Sequence, residues 1–247
     1  MGEIKNTYQA LRARCLLDSS REFRARGKSV ARCERCQLAS FACLCPWRRE
    51  MESNCEFVLL MHRNEVFKPT NSGRLIADLL PYNTHMFIWD RTQPDPHLLT
   101  LLNDPERECI IVFPSDDADT RPVTTTITAS NKIPTFILLD GTWKQSGRMF
   151  HLSRWLDGVP CISLPETLLR GYAVRKSHQE NYVSTLEAAG LCLQMVGELA
   201  QSKLVFDYFS LFNVHYLATR GCYTPVVGEL HQRFKMGIPT ANLEKNS

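Results

Sequence analysis

Residues 134–150 read PTFILLDGTWKQSGRMF. Phe136 to Leu139 form an unbroken apolar run that stops at Asp140. Gly141, Thr142 and Trp143 follow, and a helical pattern takes over from there. A strand that is apolar at successive positions belongs in a sheet covered on both faces, because alternation would leave one face wet. Runs of the same kind come earlier: EFVLLM at 56–61, HMFIWD at 85–90 and CIIVF at 109–113. Helical patterns lie at 73–80, 143–156, 184–200 and 204–218, with an Arg-rich, partly helical stretch at 7–28. This alternation predicts an α/β fold: a mostly parallel sheet with flanking helices.

Each run ends in polar residues: His62 and Arg63, Asp90 and Arg91, Ser115 and Asp116, Asp140. Open parallel sheets bind ligands beyond the carboxyl ends of their strands, where loops converge and helix N-termini point inward. The turn from Asp140 to Trp143 therefore stands where such a fold keeps its ligand.

The chain has 247 residues, 44% of them hydrophobic, enough for one sizeable core with a small appendage. Three regions are expected: a basic N-terminal helix and cysteine segment over 1–50, an α/β catalytic domain over 51–220 and a polar C-terminal tail over 221–247. No apolar run approaches the ~20 residues needed to span a bilayer, and no apolar leader opens the chain. These features predict a cytoplasmic protein without a membrane partner. Net charge is +3, but residues 1–50 carry eleven Lys and Arg against five Asp and Glu. A basic segment on a near-neutral body is a common footprint of a polyanion partner, and also of a merely solvated helix.

Residues 33–45 read CERCQLASFACLC, a C-x2-C-x6-C-x-C spacing through Cys33, Cys36, Cys43 and Cys45. Four thiolates this close can enclose one tetrahedral Zn²⁺ with no side open to water, which makes the ion structural. Four unconnected thiols, redox chemistry at the CxxC and an iron–sulfur site are the competing readings. The other six cysteines are scattered, as small buried hydrophobes are. Arg32, Arg35, Arg48 and Arg49 flank the patch and would present guanidinium groups to phosphates if they were free.

No P-loop, GxGxxG, HExxH or GxSxG occurs, which removes the usual support for a nucleotide-triphosphate, dinucleotide, zincin or serine-hydrolase site. TNSGRL at 70–75 opens a helix with a polar turn. Ser184 followed by Glu187 makes a capping box.

Asp140-Gly141-Thr142-Trp143 fits a D-x-T-W signature. In order along the chain stand the C-x2-C…C-x-C patch, HRNEVFKPTNSGRL (62–75), FPSDDA (113–118), the D-x-T-W turn and STLEA (184–188). Together these resemble the DTW-domain family, most closely its bacterial tRNA-uridine aminocarboxypropyltransferases, over roughly residues 31–218. Ser72 stands where the family pattern is expected to carry Thr, and it keeps the hydroxyl. The resemblance implies a fold related to the SPOUT methyltransferases, whose sheet carries a C-terminal trefoil knot. It implies transfer of the 3-amino-3-carboxypropyl group of S-adenosylmethionine to N3 of a loop uridine in tRNA, the variable loop leading by analogy.

The implied donor-binding residues are Asn71, Ser72, Gly73, Pro114, Ser115, Leu139, Gly141, Ser184, Thr185 and Glu187. The implied catalytic residues are Asp140, Thr142 and Trp143. Asp140 is a candidate base only if burial raises its pKa; otherwise it positions substrate or loop. Trp143 suits adenine, the target base or a core wedge equally. Lys144, Arg148, Arg175, Lys176 and His178 are expected along the RNA approach. A SPOUT-type methyltransferase and a non-catalytic zinc-ribbon RNA binder are the alternatives.

Overall fold

A computed structural model describes residues 8–18, 30–114, 121–127, 131–169 and 183–236. Five strands form one sheet: β1 (Glu56–Met61), β2 (Thr84–Ile88), β3 (Arg107–Val112), β4 (Ile133–Asp140) and β5 (Cys161–Ile162). Their order across the sheet is β2-β1-β4-β3-β5, and every pair is parallel. The α-helices that bear on the site are α1 (Tyr8–Leu17), α2 (Arg74–Leu79), α3 (Pro96–Leu102), α4 (Trp143–Leu152), α5 (Thr185–Met195), α6 (Leu199–Gly221) and α7 (Glu229–Met236).

The apolar runs are continuous because both faces are covered. In β1, Phe57, Leu59 and Met61 join a cluster with Leu75, Ile76 and Leu79 of α2 and with α5 and α6. Val58 and Leu60 face the opposite cluster, with Leu98 of α3 and Met149 and Phe150 of α4. Successive side chains on a strand point to opposite faces, so one run serves two cores. The chain leaves β1 through α2 on one face and leaves β4 through α4 on the other. β1 and β4 are neighbours, with Met61 in register with Asp140. Crossovers that part in this way open a crevice at the carboxyl ends of the strands.

The N-terminal segment is part of this structure. Tyr8, Leu11, Cys36, Leu38 and Leu44 are buried in the same cluster as β1 and α6. The Tyr8 hydroxyl donates to Val66 O at 2.6 Å. Arg74, 1% exposed, donates from Nη2 to Cys36 O at 2.6 Å. Its guanidinium carbon lies 5.6 Å from the Tyr8 ring centroid and 5.7 Å from that of Phe212. A buried cation needs such partners, and the carbonyl and ring faces supply them.

Three features depart from the sequence reading, one of them α3, a helix for which no pattern is assigned there. β5 is only two residues long, too short to show as a run. Where a polar tail is expected after residue 220, Glu229–Met236 forms a helix that returns to the core. Phe234 of α7 is buried and stacks on Tyr208 at 5.4 Å between centroids. His231, also buried, meets His215 of α6 at 3.1 Å between Nε2 atoms. A helix with few inward apolar residues carries little periodic signal, because most of its positions face water. No described helix is long and apolar enough to cross a membrane. The chain path between β5 and α5, on which the expected knot depends, includes residues 170–182, outside the described residues.

Candidate active site

Asp140 ends β4 and is 3% exposed. Its Oδ2 accepts the Asn71 amide at 2.6 Å and its Oδ1 accepts the Thr185 hydroxyl at 2.6 Å. Asn71 Oδ1 in turn accepts Arg74 N–H at 3.0 Å, which fixes the orientation of the amide. One carboxylate thus joins the end of the central strand to the start of α2 and the start of α5. Burial pushes the Asp140 acid up to about 6, against the two hydrogen bonds that favour its charge.

Gly73 explains its own residue type here. A Cβ at that position would lie 2.8 Å from Asp140 Cγ and 2.8 Å from Oδ1. Gly73→Ala is therefore expected to push the carboxylate off Asn71 and Thr185. A loss of about 1–3 kcal/mol in stability is expected from the overpacking, checked by chemical denaturation of both proteins.

The D-x-T-W turn is built from a cap. Thr142 is the N-cap of α4: its Oγ1 accepts Gln145 N–H at 3.4 Å, while Gln145 Oε1 accepts Thr142 N–H at 2.8 Å. The reciprocal pair satisfies donors that a helix start otherwise leaves open. Trp143 follows as the first helical residue, 58% exposed, with its ring stacked on Phe113 at 5.5 Å between centroids. The expected capping box at α5 is also present: Ser184 N–H donates to Glu187 Oε2 at 2.8 Å and Ser184 Oγ accepts Glu187 N–H at 3.4 Å.

These elements enclose a cavity of about 780 Å³ at the carboxyl ends of β3, β4 and β5. Of the residues singled out in the sequence, Asn71, Ser72, Pro114, Leu139, Asp140, Gly141, Trp143, Ser184, Thr185 and Glu187 line it. Gly73 stands behind Asp140, and Thr142 is outside the wall as a cap. Ser115 lies outside the described residues. Glu65, Ser146, Ser163 and Phe209 also line the cavity and went unremarked as site residues. Glu65 sits inside the HRNEVF stretch, but nothing local shows that it turns inward. Phe209 reaches the cavity from α6, far along the chain.

Three carboxylates line the cavity: Glu65, Asp140 and Glu187. Among the described residues no Lys, Arg or His lines it. Lys68 donates to Glu65 Oε1 at 2.5 Å without itself being part of the wall. Burial pushes the Glu187 acid up to about 7, opposed by its bond from Ser184 N–H. With Glu65 paired to Lys68, the net negative charge of the described wall rests on Asp140 and, above about pH 7, Glu187, which suits a cationic group.

The cysteine patch can hold a metal. The four Sγ atoms lie within 4.8 Å of one another, with Cys33–Cys45 at 3.6 Å and Cys36–Cys43 at 3.8 Å. A tetrahedral ion with bonds of about 2.3 Å spaces its sulfurs about 3.8 Å apart, so the two short pairs match Zn²⁺ and the whole set lies within about 1 Å of its geometry. Burial opposes ionisation of Cys33, but bonds from the Cys36 and Arg35 backbones outweigh it and bring the thiol down to about 7. Gln37 holds the turn with φ of 60°.

The arginines around the patch are mostly not presented outward. Arg48 pairs with Asp78 at 2.7 Å with its side chain 14% exposed. Arg32 donates to Gln37 O at 3.0 Å and Arg49 to Lys235 O at 3.2 Å. Arg35 is exposed, as are Lys144 and Arg148 on α4. Arg175, Lys176 and His178 lie outside the described residues.

Fold and site together define a three-layer parallel α/β protein with an acidic ligand cavity at the sheet's carboxyl edge and a four-cysteine cluster packed against its core. The family model described as DTW domain matches residues 30–217, and the chain belongs to the DTW domain family. Proteins named tRNA-uridine aminocarboxypropyltransferase 2 from Macaca fascicularis and Mus musculus are each 25% identical over 170 residues, covering 66% of this chain and 56% of the relative. The Drosophila melanogaster protein of that name is 24% identical over 173 residues, covering 67% of this chain and 66% of its own. The chain thus spans little more than half the length of the first two. No solved structure matches it.

Proposed function

We propose that the chain is a tRNA-modifying transferase that moves the 3-amino-3-carboxypropyl group of S-adenosylmethionine to N3 of an unpaired uridine. The observation that carries this reading is the cavity beside the D-x-T-W turn, walled by Glu65, Asp140 and Glu187 with no basic side chain among the described lining residues. The donor brings a sulfonium and an ammonium, two cations that such a wall suits. Adenine suits the apolar floor at Val112, Leu138 and Leu139.

The uridine N3 loses its proton and attacks the Cγ of the methionine arm. The C–S bond breaks, its electron pair neutralises the sulfonium, and methylthioadenosine leaves. All three carbons on the sulfonium are open to attack, so orientation decides which one reacts. Asp140 fits the orienting role: both its oxygens are engaged by Asn71 and Thr185, which leaves it poor geometry for taking a proton. Glu187, raised to about 7 on the cavity wall, is better matched to proton transfer near neutral pH. Trp143, stacked on Phe113 yet largely exposed, can stack with the incoming base. An unpaired uridine reaches this mouth without breaking a stem. In the cysteine cluster a Zn²⁺ ion with four thiolates supplies folding energy and takes no part in the reaction.

The test is incubation of the full chain with labelled S-adenosylmethionine and unfractionated tRNA. Methylthioadenosine and a uridine heavier by one aminocarboxypropyl group are expected. S-adenosylhomocysteine as the product would replace this reading with methyl transfer, and absence of any donor-derived product would leave RNA binding without catalysis.

A further inference from the structure

A second feature stands on the other side of Asp140 from the cavity. His62 and Trp89 are the residues immediately after β1 and β2. His62 N–H donates to Asp140 O at 2.9 Å and Trp89 N–H to Met61 O at 2.8 Å, so both continue the ladder of the sheet. Their rings lie 6.2 Å apart between centroids with 22° between planes. Both are partly exposed, and neither lines the cavity.

Both rings are held. Trp89 Nε1–H donates to Ser153 Oγ at 2.8 Å, and that hydroxyl donates to Met149 O at 2.6 Å. His62 Nδ1 receives Asn64 N–H at 3.3 Å and the Gln145 amide at 3.2 Å. A ring nitrogen that accepts carries no proton, which places the single proton of the neutral imidazole on Nε2. Burial lowers the His62 pKa, with Lys68 and Arg148 acting the same way against Glu65, so the neutral form persists. His62 Nε2 meets no hydrogen-bond partner among the described residues. Gln145 is also the residue that closes the Thr142 cap, which couples these rings to the D-x-T-W turn. Exposed Arg148 is near enough to His62 to influence its titration, whereas Arg63, next in the chain, donates to Cys15 O at 3.4 Å.

We infer that His62 and Trp89 form a stacking platform for one unpaired nucleobase of the RNA substrate, neighbouring the nucleotide that enters the cavity, with His62 Nε2–H as its hydrogen-bond donor and Arg148 as a phosphate contact. The inference rests on the reading of the cavity as an RNA-modifying site. Fixed aromatic faces beside cations suit single-stranded nucleic acid, because every base offers a π face and every linkage a charge. β1 adjoins β4 and β2 lies one strand further, at spacings of about 4.8 Å, so the platform is one nucleotide's reach from Asp140.

The test uses the full chain, fluorescent unfractionated tRNA and variants Trp89→Leu, Trp89→Phe and His62→Ala. Loss of one stacked base is expected to weaken tRNA binding between about fivefold and a hundredfold in Trp89→Leu. Trp89→Phe should recover part of it. His62→Ala should weaken binding severalfold and carries the test alone if Trp89→Leu does not fold. Affinity for S-adenosylmethionine should stay within about twofold in all three. Unchanged tRNA affinity in folded variants overturns the platform, and so does a parallel loss of donor affinity, which would mark a structural stack. Weakened tRNA binding in a chain that releases no methylthioadenosine supports the platform and overturns only the transfer reading. A wild-type chain that does not bind tRNA overturns both.

Discussion

Under the proposed function, Asp140→Asn is expected to lower transferase turnover by about a hundredfold or more while making the folded chain more stable above pH 6. The stability gain follows from the site's own electrostatics. Burial holds the Asp140 acid at about 6 instead of near 3.8, net of the bonds from Asn71 and Thr185. Between those values the native state binds more protons than the unfolded state, so stability falls as pH rises. The stability of the protonated form is fully present below about pH 4 and is lost as pH passes through about 6. An amide has no such dependence and can keep both contacts, accepting from Asn71 and donating to Thr185 Oγ1. Relative to wild type the variant should gain little at pH 4 and about 3 kcal/mol at pH 7 and above. The loss of activity follows from the same charge, since in the proposed reaction a preorganised carboxylate beside the cationic donor is worth about two orders of magnitude in rate. Denaturation of both proteins at several pH values, with turnover measured beside it, checks the pair of effects. An Asn variant with wild-type turnover would show that the shape of the clamp matters and its charge does not. Unchanged stability at pH 8 would show that the charge is not desolvated.

The second large effect concerns the cysteine cluster. One zinc per chain is expected by elemental analysis, and Cys36→Ser or a strong chelator should lower the thermal midpoint by about 10 °C or more. Cys36 lies in the same buried cluster as β1 and α6, beside Leu38 and Leu44. Its carbonyl holds the buried Arg74 guanidinium at 2.6 Å. A knuckle that opens takes one carbonyl from that buried cation, which keeps Pro69 O at 3.2 Å, and a hydrogen bond to a charged group is worth about 1.5–3 kcal/mol. In a chain of this size each kcal/mol moves the midpoint by about 2–4 °C, so this bond and the lost metal-binding energy together carry the shift to about 10 °C or more. Cys222, exposed at the end of α6, is the control; Cys222→Ser should leave metal content and midpoint unchanged. A metal-free chain with the same midpoint would refute the structural ion.

Much of the fold was legible. The runs at 56–61, 85–90, 109–113 and 135–139 became β1 to β4 within a few residues at each end. The capping box at Ser184 and Glu187 was readable because it is written in four successive residues. Asp95 before Pro96 was an equally good helix start: Asp95 Oδ1 accepts His97 N–H at 2.9 Å at the head of α3, and that helix went unassigned. α7 could not be found this way, because mainly His231 and Phe234 face inward. The arginines around the cysteines illustrate the opposite limit. Sequence shows a charge, but whether Arg48 faces a phosphate or Asp78 depends on where α2 packs.

The sequence by itself determined what short-range chemistry determines: which segments are strands buried on both faces, where two helices begin, and that four thiols lie close enough for one ion. The tertiary structure alone decided the state of Asp140. Its partners Asn71 and Thr185 stand 69 and 45 residues away along the chain, and its raised acid comes from burial that those distant elements create. The physical reason is one of range. A strand's period and a helix cap are set by groups within a few residues, whereas desolvation and the partners of a carboxylate are set by whatever the completed fold brings against it.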